Sequence, residues 1–194
     1  EAARTPSTKA LVFVSPSNPT GAVYSPEDVA EIGRWAVHHG LWVVTDEIYE
    51  HLVYGDAEFS SMPVEVPDLA ERCIVVNGVA KTYAMTGWRV GWMVVPQRIV
   101  PVIERLAQNL FICPSTIAQH AALACFEAES IAEYERRRAE FRARRDLVVP
   151  ALGQLGLPVP VMPDGAFYAH ADCSAHSPDS WDFAFALMES AHVA

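Results

Sequence analysis

The sequence predicts an α/β protein built on an open, mostly parallel sheet with helices on both faces. Three observations carry this. Three β-branched or fully apolar runs, Ala10 to Val14, Leu41 to Thr45 and Cys73 to Val76, are short enough to be strands, and their continuous apolarity suits the buried strands of a parallel sheet. An amphipathic helical pattern separates the first two, which makes a strand, helix, strand crossover. Each run ends abruptly in polar residues, at Ser15, Asp46 and Asn77.

Taken in order, residues 1–9 form a polar connector, and the first strand stops at Ser15-Pro16-Ser17-Asn18-Pro19-Thr20-Gly21, where two prolines forbid helix. Ser25-Pro26-Glu27-Asp28 starts a helix, with Ser25 as N-cap, Pro26 in the first turn and acidic side chains against the positive end of the dipole. His38-His39-Gly40 ends it. The second strand is terminated by Asp46-Glu47, and residues 55–72 are loop-rich, with Gly55, Pro63 and Pro67.

The third strand leads into Asn77-Gly78 and a loop carrying Lys81. A further strand, Val90 to Val95, is closed by Pro96. Helices are then expected over Gln97 to Leu110, Ser115 to Glu127 and about Ser130 to Val149. The last carries six arginines between Arg136 and Arg145, interleaved with Glu133, Glu135, Glu140 and Asp146, which describes a solvated, ion-paired face. Residues 157–163 are proline-broken, Gly165 to His170 reads as a short strand opening a smaller α+β unit, and Pro178 to Ala191 reads as a helix.

Composition narrows the function. The net charge of -10 and a pI near 5.1 disfavour nucleic acid or anionic membrane as partners. No apolar run has the roughly 20 residues of a membrane helix, which implies a cytoplasmic protein. Cys73, Cys113, Cys125 and Cys173 have no paired spacing and read as buried free thiols. His51, His170 and His176 lack metal-ligand spacing, so no metal site is expected. Trp42, Trp88 and Trp92 read as core.

Ligands of open α/β sheets bind outside the carboxyl ends of the strands, so Asn18, Asp46, Tyr49 and Lys81 can converge although they are far apart in sequence. Burial or a neighbouring cation turns an amine into a nucleophile able to capture a carbonyl, and Lys81 has Arg89 further along its own loop. A carboxylate ending a buried strand needs a cationic partner, and a ring nitrogen is an apt one for Asp46. Arg89 offers a planar fork to a phosphate. Lysine on a carbonyl, carboxylate on a pyridinium and arginine on a phosphate together describe pyridoxal 5'-phosphate.

S-N-P-T-G at 17–21, T-D-E-I-Y at 45–49 and A-K-T-Y-A-M-T-G-W-R-V-G at 80–91 resemble the fold-type I aminotransferases, nearest to bacterial aspartate aminotransferases. The resemblance covers essentially the whole sequence. It implies that Lys81 carries the cofactor and shuttles the proton, that Asp46 partners the pyridinium and that Arg89 binds the phosphate. It also implies that Asn18 and Tyr49 hydrogen-bond the phenolic oxygen, with Asn18 near the substrate carboxylate. Amino transfer between an L-amino acid and a 2-oxo acid follows, in a homodimer.

Two departures accompany it: Ala80 precedes the lysine where many relatives carry serine, and Gly78 stands where some place a phosphate-binding serine. The resemblance also implies a longer chain. Residues 1–140 then form the latter part of a large cofactor-binding domain and 141–194 the beginning of a small one, with the phosphate-cradling loop and the carboxylate-binding arginine outside them. Two other readings compete. Leu41 to Glu47 could be a Walker-B-like strand, but no G-x-x-x-x-G-K-[ST] loop accompanies it. The same residues could also form a ligand-sensing domain of a transcriptional regulator.

Overall fold

The computed structural model describes residues 2–193. Four strands form one sheet in the order β1 (Ala10–Val14), β2 (Trp42–Asp46), β3 (Cys73–Gly78), β4 (Gly91–Val94). The first three are parallel, and Val14, Asp46 and Val76 lie in one row of the register. Their carboxyl ends therefore share one edge, as the polar terminators predict. β4 is antiparallel to β3, with Gly78 opposite Gly91 and Val75 opposite Val94. The connection between them, residues 79–90, carries both Lys81 and Arg89 over that edge. The two strands approach closely at their joint: a Cβ on Gly78 would stand 3.0 Å from the Val90 carbonyl oxygen and 3.1 Å from Gly91 Cα. Glycine at 78 is thus fitted to the pinch between the strands.

Helix α1 (Pro26–His38) begins as its sequence dictates. The Ser25 hydroxyl accepts from the Asp28 amide at 3.1 Å, and Gly40 just beyond the end has φ +65°. Its Val29, Ala30 and Ala36 pack on Phe13, Val43 and Cys73 of the sheet. The short helix α2 (Met62–Glu65) and a 3-10 turn (Pro67–Arg72) complete that core with Met62, Val66 and Leu69. The other face is less covered: Val12 is 71% exposed, while Val44 and Ile74 are half-buried.

Several elements differ from expectation, each for a local reason. The segment expected as one helix from Gln97 is a 3-10 turn (Gln97–Ile99) followed by α3 (Val100–Leu110), because Pro101 fits only a first helical turn. Helix α4 (Thr116–Leu123) tightens into a 3-10 turn at Ala124–Phe126. Helix α5 (Ala128–Gln154) runs through Pro150, since a proline removes a single amide donor from an otherwise long ladder. Gly165 to His170 forms no strand. Gly165 makes one isolated antiparallel bridge to Val53, and Ala166 adopts φ 55°. Helix α6 (Ser180–Ala191) starts after Asp179, whose carboxylate accepts from the Trp181 amide at 2.8 Å, so the cap lies one residue past Pro178. Cys113 is exposed and Cys173 half-buried, so only Cys73 and Cys125 are the expected buried thiols. Trp88 is exposed, and Trp42 is half-buried beneath the Arg98 guanidinium, 4.8 Å from its ring centre. The arginines of α5 are ion-paired as expected, Arg136 and Arg137 both reaching Glu133.

Candidate active site

Asp46 and Glu47 leave β2 on opposite sides, as strand alternation requires. Asp46 stands half-buried on the less covered face, and one carboxylate oxygen accepts from the Ile48 amide at 3.1 Å. This turns the chain back so that Tyr49 is buried beside the strand end. Glu47 goes into the core side, where its carboxylate accepts from Ser61 at 3.0 Å and Thr45 at 3.2 Å. Burial raises the proton affinity of Glu47 above that of an ordinary carboxylate, against the opposing pull of these donors.

Lys81 is half-buried, and its Nζ lies 5.8 Å from the centre of the Tyr49 ring and 5.7 Å from that of Phe167. The two ring centres are themselves 5.4 Å apart, so the amine sits beside this aromatic pair, within cation–π reach of both rings. Beneath the loop, Asn77 accepts from the Gly78 amide at 2.7 Å and donates to Glu50 at 2.8 Å, which fixes the strand end from which the loop departs. Val79 and Tyr83 anchor the loop against Ala122 and Cys125.

The Tyr49 hydroxyl lies 2.5 Å from that of Tyr168, and Asn18 Nδ2 is 3.5 Å from the same Tyr168 oxygen. Burial, then the Tyr168 contact, then the Asp46 carboxylate all raise the Tyr49 phenol above its ordinary range, so it stays protonated. Asn18, Tyr49 and Lys81 are therefore gathered at one edge, with the Asp46 charge felt at Tyr49. Arg89 is exposed. It adopts a left-handed backbone, φ 53°, and its guanidinium donates to the Thr86 carbonyl at 2.9 Å. With Trp88, Phe111, Cys113 and Ser115 it lines an open cleft of about 690 Å³.

Phe167 and Tyr168 belong to the site and were not expected there. Both come from the segment after α5, which packs back on the SNPTG loop: the Gly165 amide donates to Gly21 and the Ala166 amide to Leu52, each at 2.8 Å. The only local signal is a pair of large aromatics flanked by Gly165, Ala166 and Ala169. Among the described residues there is no cluster of His, Cys, Asp and Glu able to hold a metal ion, and no helix long and apolar enough to cross a membrane.

The donors present suit a phosphorylated pyridine aldehyde: an amine for the carbonyl, two hydrogen-bonding groups for a phenolic oxygen, a carboxylate at the strand edge, and a guanidinium on the same loop as the amine. Residues 1–194 match the family model described as aminotransferase class I and II. The chain is 52% identical to an aspartate aminotransferase of Streptomyces avermitilis, covering all of this chain and 50% of that protein. It is 43% identical to an aspartate/prephenate aminotransferase of Thermus thermophilus, over 96% of this chain and 48% of the relative. The crystal structure of an aromatic aminotransferase from Pyrococcus horikoshii superposes with a TM-score of 0.94 at 39% identity, covering all of this chain and 52% of that one. The chain thus spans about half the length of the relatives it matches. Sheet topology, strand-edge chemistry and these likenesses agree: the chain belongs to the class I and II aminotransferases.

Proposed function

We propose that the protein carrying this chain is a pyridoxal-phosphate-dependent aminotransferase, exchanging an amino group between an L-amino acid of the aspartate type and a 2-oxo acid such as 2-oxoglutarate. The observation that carries the reading is Lys81, set beside the Tyr49 and Phe167 rings at the shared carboxyl edge of three parallel strands. When bound, the cofactor supplies an electron sink that makes the substrate's Cα proton removable. Lys81 would hold the cofactor through its carbonyl and, once freed from it, would carry the proton taken from the substrate Cα.

Asp46 would partner the ring nitrogen and favour its protonated form. Tyr49 and Asn18 would donate to the phenolic oxygen, Asn18 would also serve the substrate carboxylate, and Arg89 would receive the phosphate. The aromatic walls exclude water around the lysine. The names of the relatives, which include aspartate, prephenate and aromatic amino-acid aminotransferases, support the substrate class. A homodimer, a cytoplasmic setting, and the division into a large domain to residue 140 and a small one beyond it belong to the same proposal.

The test is borohydride trapping of pyridoxal phosphate in the full-length protein, followed by peptide mapping. Label on Lys81 is expected. Lys81→Ala should abolish the trapped label and reduce turnover by more than the roughly 10²- to 10⁴-fold of acid-base catalysis alone, because covalent capture is lost too. Label on a different lysine overturns the assignment.

A further inference from the structure

Tyr168 stands where none of the sequence motifs would put a functional group. Its segment is held close to the SNPTG loop and to the Leu52–Tyr54 stretch by three backbone hydrogen bonds, each 2.8 Å: Gly165 N–H to Gly21, Ala166 N–H to Leu52, and Tyr54 N–H to Asp164. The Tyr54 hydroxyl adds a bond to the Ala166 carbonyl. A side chain two residues past Ala166 therefore has little freedom. Its hydroxyl ends 2.5 Å from the Tyr49 hydroxyl and 3.5 Å from Asn18 Nδ2. Those are the two groups assigned above to one oxygen of the cofactor.

Donor counting gives the contact a direction. A phenol has one hydrogen to donate and lone pairs to accept with, while an amide nitrogen only donates. Asn18 Nδ2 directs its hydrogen to the Tyr168 oxygen. The hydrogen of Tyr168 is then free for the Tyr49 oxygen, and in that arrangement the hydrogen of Tyr49 turns away from Tyr168.

We propose that Tyr168 is a positioning residue of the site, a second hydroxyl that accepts from Asn18, donates to Tyr49, and so aims the Tyr49 hydrogen at the cofactor's phenolic oxygen. This rests on the pyridoxal-phosphate reading. It also makes the strength of that hydrogen bond depend on how the segment after α5 is docked. A donor aimed at the phenolic oxygen favours its anionic form and holds down the proton affinity of the bound chromophore. Loss of the Tyr168 hydroxyl leaves Tyr49 free to turn, and the proton affinity rises.

The experiment uses full-length protein loaded with pyridoxal phosphate and follows visible absorbance against pH, together with the cofactor dissociation constant. Tyr168→Phe keeps the ring and its contacts. It is expected to move the absorbance midpoint upward by about 0.5 to 1 pH unit, a roughly 3- to 10-fold change in proton affinity, and to weaken cofactor binding several-fold. Tyr54→Phe is the comparison, since it removes another hydroxyl that docks the same segment but touches neither Tyr49 nor Asn18. The three backbone hydrogen bonds still dock the segment in that variant, so the midpoint should stay in place.

An unmoved midpoint in Tyr168→Phe overturns the proposal. So does an equal shift in both variants, which would assign the effect to docking alone. Lys81→Ala separates the two levels: if it still traps cofactor covalently, the underlying reading fails. If it does not, and Tyr168→Phe is silent, only the role of Tyr168 fails.

Discussion

Gly21→Ala tests how the site is closed. Gly21 ends the SNPTG loop at φ +71°, in the left-handed region, where an L-residue carries a penalty of roughly 1–2 kcal/mol. A Cβ there would stand 2.4 Å from Pro163 Cβ and 2.9 Å from the Gly165 carbonyl oxygen, well inside ordinary contact. Neither neighbour yields easily. The Gly165 amide is bonded to the Gly21 carbonyl, and Arg145 donates to the Pro163 carbonyl at 3.1 Å. Overpacking of this kind costs about 1–3 kcal/mol, so the two effects together should cost about 2–5 kcal/mol.

Gly55→Ala is the internal control, because Gly55 has φ +64° but no atom within 4 Å of its Cβ position. It should show the backbone penalty alone. Both variants are compared by urea denaturation of the full-length protein, with cofactor affinity as the second readout. Gly21→Ala should lose the greater stability and also weaken the cofactor, because Tyr168 moves away from Tyr49. If Gly21→Ala is no more destabilising than Gly55→Ala, the close packing of Gly21 on Pro163 is not what holds the segment.

Asp46→Asn should slow the half-reaction with an amino-acid donor roughly 30-fold to several-thousand-fold, for a buried charge-assisted pair of about 2–5 kcal/mol, while cofactor capture persists. Glu47→Gln should act on stability, by about 1–3 kcal/mol, because its carboxylate receives Ser61 and Thr45 rather than the site; equal kinetic effects of the two would remove Asp46 from it. The raised proton affinity of Glu47 also sets a pH trend. Its stabilising contribution is fully present below the ordinary carboxylate value of 4.5 and is lost as pH rises through the higher folded value. Urea midpoints across that acid range should fall with pH in the wild type and less so in Glu47→Gln, and parallel profiles would sink this attribution.

What could be read from the sequence is local in physical origin. Each strand is an apolar run with a polar stop, and the stops at Ser15, Asp46 and Asn77 fall on one edge because parallel pairing aligns Val14, Asp46 and Val76. The cap of α1 is likewise local, a hydroxyl and an amide within one turn. Strand direction is not local. Gly91 to Val94 reads the same whether it runs with β3 or against it, and the residues between them, 79–90, are enough for either connection.

The aromatic wall was hidden for a similar reason. Tyr168 meets Tyr49 across 119 residues, through a backbone contact between Gly21 and Gly165 that no periodicity marks. The backbone of Arg89 was also illegible. It takes a left-handed φ and its guanidinium donates to the Thr86 carbonyl, neither of which spacing alone suggests.

Helix α5 grips the rest of the protein with two of its arginines: Arg138 donates to the Val53 carbonyl at 3.0 Å and Arg145 to that of Pro163. They sit one heptad apart, so they project within about 20° of each other, roughly 10 Å along the axis. Each holds a different wall of the site, Val53 following the Tyr49 turn and Pro163 preceding Phe167. The helix thus works as a gauge block that sets the gap between those walls. A single residue inserted among 139–144 would rotate one grip by about 100° relative to the other, while a whole added heptad would keep both facing inward but force the walls apart. The length of chain between these two arginines is therefore constrained even where every intervening side chain is free to vary.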